Sequence, residues 1–195
     1  MKKRLFLGIT IPEDFKTKLA SVQNNQRLKT KDLPAGRQGQ RLIRWVPKEN
    51  YHITVSFLGY IDEKFIEKIV NAGIDVAKNT FSFSFTFEAL NFAPPEKIPR
   101  MVWATFQNSP EFNALVQKTE KNLRKLYNYS DSRLNHRPIP HITLVRFASF
   151  KEVEAIKLPQ LSLTKLQVES FSLFESKLSP GGPTYTELHR FSLKH

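Results

Sequence analysis

The pattern His-Ile-Thr-aliphatic occurs twice, as His52-Ile53-Thr54-Val55 and as His141-Ile142-Thr143-Leu144. Each copy sits at the same point in a longer succession of elements. The first succession starts with β-forming residues 4–11, passes through Pro12-Glu13-Asp14-Phe15 into a helix, and arrives at the tetrapeptide on a strand. The second starts with strand 101–106, passes through Pro110-Glu111-Phe112 into a helix, and arrives at strand 141–147. Such a chain is expected to fold as two copies of one α/β unit, with halves at about 1–92 and 100–195. Phe6 precedes His52 by 46 residues and Trp103 precedes His141 by 38; an insert carrying Gly and Pro at 32–40 accounts for the difference.

The remaining elements follow from periodicity. Pro and two acids open the first helix, as the helix dipole favours, and Phe15, Leu19 and Val22 share its inner face. Residues 24–41 are polar, carry Pro34, Gly36 and Gly39, and read as a loop. Strand 52–58 is expected to stop at Gly59, and Asp62 to cap a helix to about residue 77 with Phe65, Ile66, Ile69, Val70 and Ile74 inward. Phe81 to Phe87 alternates strictly and predicts one strand. Ser109 opens a helix to about 127, and a short helix is expected near 151–157. Two strands, 161–176 and 184–193, are joined by the turn Pro180-Gly181-Gly182-Pro183. Long alternating strands favour antiparallel pairing. The expected class is therefore α+β, a single domain over 1–195 built from the two repeated units with antiparallel strands.

On a strand, residues two apart share a face. His52 and Thr54 therefore project together, as do His141 and Thr143, while the aliphatics project into the core. Two such strands facing each other would present two imidazoles and two hydroxyls. A neutral imidazole takes a proton from water and a charged one gives a proton to a leaving alkoxide. Threonine hydroxyls donate to phosphoryl oxygens where charge accumulates. In-line displacement at a phosphodiester needs this set and no metal. A solitary His-x-Thr is a weak motif, but chance supplies about 0.25 copies in this composition and there are two. A duplicated structural strand explains the aliphatics well and the outward His and Thr poorly.

Several chemistries are excluded or disfavoured. No cysteine is present, which removes disulfides, thiol nucleophiles and thiolate metal sites. No acid lies within either tetrapeptide and His-Glu-x-x-His is absent, so no metal or other cofactor is expected. Gly-x-Ser-x-Gly and a P-loop are also missing. No apolar run approaches the ~20 residues of a membrane span, and the expectation is a cytoplasmic monomer. The net charge is +12, of which residues 1–50 hold +8 with 12 basic and 4 acidic side chains. That concentration suits a polyanionic partner. A non-catalytic, basic RNA-binding module is the competing reading. His136 and His189 lie outside the motifs and read as structural or exposed.

At these residues the sequence resembles the two-histidine phosphoesterase superfamily, and within it the RNA 2′,3′-cyclic phosphodiesterases, also called 2′-5′ RNA ligase-like proteins. The resemblance runs through Arg4-Leu5-Phe6-Leu7-Gly8-Ile9, the block Arg44 to Gly59, Pro140 to Arg146, and Leu178 to Tyr185. It implies a two-lobed fold with two antiparallel sheets flanking a central cleft, and hydrolysis of an RNA 2′,3′-cyclic phosphate end to a 2′-phosphomonoester, with RNA as partner and no metal. It implies that His52 is the proton donor to the leaving 3′-oxygen, His141 the proton acceptor that activates water, and Thr54 and Thr143 the phosphate-holding hydroxyls. Residue types alone do not decide which histidine is the acid. Arg146, on a strand end where a bulge could re-aim it, is a candidate phosphate contact. Trp45 and Tyr51 are candidates to stack on a base. Small cyclic nucleotides or 2′-5′ linked oligonucleotides are the alternative substrates.

Overall fold

A computed structural model of the chain describes residues 1–30, 43–95, 97–126, 138–147, 157–163, 165–180 and 182–195. Residues 31–41 of the expected loop at 24–41 and nearly all of the expected helix at 151–157 fall outside these residues.

The elements in chain order are β1 (Lys2–Thr10), α1 (Glu13–Thr30), β2 (Ile43–Trp45), β3 (His52–Asp62), α2 (Ile66–Lys78), β4 (Phe83–Phe85), β5 (Phe87–Ala93), β6 (Met101–Phe106), α3 (Pro110–Arg124), β7 (His141–Phe147), β8 (Leu166–Val168), β9 (Ser170–Ser179) and β10 (Gly182–Ser192). The chain is α+β with two antiparallel sheets of unequal size. Among the described residues the larger has eight strands in the order β10-β9-β1-β3-β7-β6-β5, with β2 added to β7. The smaller pairs β4 with β8.

Strands cross between the sequence halves. β5 pairs with β6, while β9 and β10 join β1. Neither half closes on itself, so each half depends on the other for an edge. β3 and β7 meet through a single residue pair, Ile53 with Ile142. Both isoleucines are buried.

Five sequence expectations change. α1 runs to Thr30, so residues 24–30 are helix and not loop; no Gly or Pro occurs between Pro12 and Pro34, and Gln, Arg, Leu and Lys are good helix formers. Gly59 does not end β3. It takes φ 75° beside Leu58, an extra residue where Phe6 pairs Phe57 but Leu5 pairs Gly59. Glycine at a bulge accepts this left-handed backbone. Asp62 does cap, but it caps a single 3₁₀ turn, Glu63–Phe65, by accepting from the Lys64 amide, and α2 starts after that turn. The strict alternation at Phe81–Phe87 is shared between two sheets: Phe83 and Phe85 belong to β4, while Phe87 opens β5. Phe81 is exposed. Finally, residues 161–163 precede β8 without being strand.

The helices cover the core face of the larger sheet. Phe15, Leu19 and Val22 of α1 are buried, and the Phe15 ring stacks 5.9 Å from Phe106 of β6. Ser109 caps α3 by accepting from the Phe112 amide, and Phe112 lies 5.4 Å from Phe85. Gly73 of α2 is in such close contact with Phe191 of β10 that a Cβ there would stand 2.5 Å from the ring. The opposite face of the sheet, where β3 and β7 meet, is free of helices from this set and holds the two tetrapeptides.

Candidate active site

The Ile53–Ile142 pair fixes the arrangement. Directly opposed residues in an antiparallel pair point to the same face, and their neighbours point to the other. Ile53 and Ile142 both enter the core, so His52, Thr54, His141 and Thr143 all project from the opposite face around one junction. The structure thus brings together the four side chains that the sequence singled out.

Each tetrapeptide then ends in a bulge. On β3, Thr54 pairs Gly8 and Ser56 pairs Leu7, leaving Val55 as the extra residue. On β7, Thr143 pairs Trp103 and Val145 pairs Val102, leaving Leu144 as the extra residue. Both extra residues are buried. A bulge inverts the alternation beyond it. Arg146, of the wrong parity in a regular strand, pairs with Met101 and so shares the face of Trp103, Thr143 and His141. Its Nη1 lies 2.9 Å from Met101 Sδ, and its charge lowers the proton affinity of both His52 and His141.

The two imidazoles are held alike. His52 Nδ1 is 2.7 Å from the Asn50 carbonyl oxygen, and His141 Nδ1 is 2.8 Å from the Ile139 carbonyl oxygen. A carbonyl only accepts, so each Nδ1 carries its proton and each Nε2 is left to exchange one with a ligand. Burial pushes the His52 imidazole below its ordinary value, and the nearby Arg146 charge adds to this. Burial pushes His141 down to about 4, with His52 and Arg146 contributing. Both rings are therefore neutral proton acceptors at neutral pH when the site holds no anion.

Their covers differ. Trp103 stacks flat on His141 at 3.7 Å and 20°. Over His52 the cover is Phe6 at 4.8 Å, with Tyr185 edge-on at 5.2 Å. By register the counterpart of Trp103 in β1 is Gly8, which stands opposite Thr54, and not Phe6. A Cβ at Gly8 would lie 3.2 Å from Phe6 Cε2 and 3.5 Å from His52 Cδ2. Glycine here lets a ring two residues away reach the histidine.

A domain-scale comparison fits this geometry. The family model described as LigT like Phosphoesterase matches residues 9–103 and 108–185. The chain belongs to the LigT-like phosphoesterase family. Among relatives, the RNA 2′,3′-cyclic phosphodiesterase of Archaeoglobus fulgidus is 30% identical over 192 residues, covering 96% of this chain and 99% of its own. The RNA 2′,3′-cyclic phosphodiesterase of Thermotoga maritima is 26% identical over 191 residues, covering 95% and 93%. A crystal structure from Thermus thermophilus superposes with a TM-score of 0.75 at 26% identity, covering 98% of both chains. E. coli LigT complexed with 3′-AMP superposes at 0.73 with 23% identity over the full length of both, a likeness of fold.

In this LigT-like phosphoesterase, a hydrolase, two sequence candidates fall away from the site. Tyr51 is only 2% exposed and packs in the core, because it directly precedes His52, the first residue of β3, and points to the other face. It is closed to any base. Trp45 pairs with Val145, which is buried, so it too faces the core. Its neighbour Arg44 takes the functional side, directly across from Arg146. Like charges placed opposite one another repel unless an anion lies between them. Arg44, Phe6, Trp103 and Tyr185 are the site residues that sequence reasoning did not select. His189 lies outside the site against Phe191 at 4.8 Å, and His136 is outside the described residues. Among the described residues no helix is long and apolar enough to cross a membrane.

Proposed function

We propose that this phosphoesterase opens RNA 2′,3′-cyclic phosphate ends to 2′-phosphomonoesters by metal-independent acid–base catalysis. The observation that carries the reading is the pairing of Ile53 with Ile142, which seats two Nδ1-protonated imidazoles and two threonines on one face beside Arg146. The RNA 2′,3′-cyclic phosphodiesterase names of relatives from several organisms support the substrate. The chain acts as one two-lobed unit over 1–195, its halves at about 1–92 and 100–195 each contributing one His-x-Thr.

His141, held neutral, accepts a proton from water at Nε2 as the oxygen attacks phosphorus. His52 delivers a proton from Nε2 to the departing 3′-oxygen. Thr54 and Thr143 donate hydrogen bonds to the non-bridging oxygens, and Arg146 balances their charge. The free enzyme holds His52 below its ordinary proton affinity. The bound phosphate supplies the missing counterion: an anion beside an imidazole raises its pKa. The donor is thus charged by the arrival of its substrate.

The test is incubation with an RNA oligonucleotide ending in a 2′,3′-cyclic phosphate, in the presence of EDTA. A 2′-phosphate end is the expected product. A product carrying a 3′-phosphate, no product, or activity abolished by the chelator would each defeat this reading.

A further inference from the structure

In an in-line displacement, water and leaving oxygen occupy opposite sides of phosphorus. The leaving 3′-oxygen remains on the ribose. The terminal nucleoside, and the RNA strand joined to its 5′ side, must therefore extend from the acid's side of the site. On the reading above, that is the side of His52.

The sheet on that side carries an aromatic surface. Beyond the Val55 bulge, Phe57 pairs Phe6, and Phe6 pairs Phe174 of β9. Beyond the Leu58 bulge, Tyr60 pairs Arg4. Arg4 donates to Ser176 Oγ at 2.8 Å, and Ser176 pairs Tyr185 of β10. All of these lie on the face of His52. Phe6 is the buried hub, with the rings of His52, Tyr185, Phe174 and Phe57 at 4.8, 4.9, 5.0 and 6.1 Å. Outward from the hub the rings open to solvent: Phe57 is 38% and Tyr60 65% exposed. Among the described residues the His141 side offers no equivalent. There β5 places Ala89 and Asn91 opposite Thr105 and Trp103.

We propose that this face, running from His52 over Tyr185 and Phe57 to Tyr60 and Arg4, is a binding track for the single-stranded RNA leading into the cyclic phosphate. The proposal rests on His52 being the acid. Tyr185 and Phe57 take the terminal base. Tyr60, one row further at about 7 Å along the strand, takes the preceding base, and Arg4 beside it takes a backbone phosphate. Aromatic platforms interleaved with a cation suit single-stranded RNA without demanding a sequence. Continuity with the site, and a positive charge where a backbone phosphate would pass, argue for a polyanionic strand over an apolar peptide.

Compare kcat/KM for a trinucleotide ending in a 2′,3′-cyclic phosphate with that for a nucleoside 2′,3′-cyclic monophosphate. The wild-type enzyme should prefer the trinucleotide at least about tenfold. Tyr60→Ala and Arg4→Gln should each remove about tenfold of that preference, through KM, while Tyr60→Phe keeps it. A wild type without preference, an unchanged preference in Tyr60→Ala, or an equal loss in Tyr60→Phe overturns the track. If the wild type turns over neither substrate, the cyclic phosphodiesterase reading is what fails. The track is then read by fluorescence anisotropy with a labelled trinucleotide ending in a 3′-phosphate. Weaker binding by Tyr60→Ala than by Tyr60→Phe supports it, and equal binding overturns it.

Discussion

His52 and His141 share a strand type, a tetrapeptide, a bulge and a carbonyl partner two residues upstream. They do not share surroundings. His141 is capped by one flat indole, and the strand beyond its cover places small and polar residues, Ala89 and Asn91, with Asn91 tied to Thr105 Oγ1 at 2.9 Å. His52 looks onto a field of rings supplied by β1, β3, β9 and β10. Two like tetrapeptides place the same side chains at two points, and the flanking strands give them different surroundings. The side with one flat indole and small or polar flanking residues suits activation of a small molecule such as water. The aromatic side suits a nucleoside.

The most severe way to break this comparison is to remove each ring. His52→Ala and His141→Ala are each expected to lose about 10³-fold or more in kcat, with circular dichroism unchanged. The comparison is sharpened by a phosphodiester whose leaving group is a nitrophenolate, which departs without a proton. That substrate should restore most of the rate to His52→Ala and little to His141→Ala. Equal rescue of both would erase the division between acid and base.

Arg146 acts on both rings and should therefore fail symmetrically. Arg146→Gln is expected to cost about 10²-fold in kcat/KM through lost phosphate stabilisation. It also removes a charge that depresses both imidazoles, so the acid limb of kcat/KM moves to higher pH. A rate loss with an unmoved limb would place the guanidinium away from the histidines.

These predictions divide along what the chain reveals locally. The tetrapeptides were legible because alternation on a strand is a property of neighbours. The helix faces at Phe15, Leu19 and Val22 and the cap at Ser109 were legible for the same reason. Arg146 was legible as a candidate only, since its orientation depends on Leu144 lying unpaired opposite Val102 and Trp103, a fact of register between distant strands. Tyr51 misled because a large aromatic next to a candidate site residue looks accessible until the opposite face is known to be core. The rings around His52 were invisible: Phe6, Phe174 and Tyr185 come together only when β9 and β10 return to pair with β1. The run at Phe81–Phe87 shows the limit from the other side. Its alternation was read correctly, yet nothing local says that Phe85 and Phe87 join different sheets.

The covers can be tested against one another. Gly8→Ala would place a Cβ 3.2 Å from both Phe6 Cε2 and the Ile53 carbonyl oxygen, displacing Phe6 and with it His52. About a tenfold loss in kcat is expected, of the order that misplaced catalytic groups show. Trp103→Ala works by the opposite route, through exposure. It lets water reach His141, so the acid limb assigned to that ring should rise from about 4 toward the ordinary 6.5. The rate loss at pH 8, where the ring is neutral in either case, should be small.

The smallest effect is on folding, and here the two histidines should behave alike. An imidazole whose folded pKa lies below its unfolded pKa favours the native state only while it is neutral. For His141 the values are about 4 and 6.5. Its contribution is complete above pH 6.5 and is lost as pH falls through the interval to about 4; His52 acts in the same direction. Between pH 6.5 and 5 most carboxylates are still charged, so melting temperature should fall over this range mainly through these two rings. His141→Gln should flatten the decline, and His52→Gln should flatten it again. Inorganic phosphate should flatten it in the wild type only, because an anion seated between the rings welcomes the proton that the empty site rejects. A decline of the same steepness in the double variant would mean that other groups govern acid stability and that the two imidazoles are less enclosed than their covers imply.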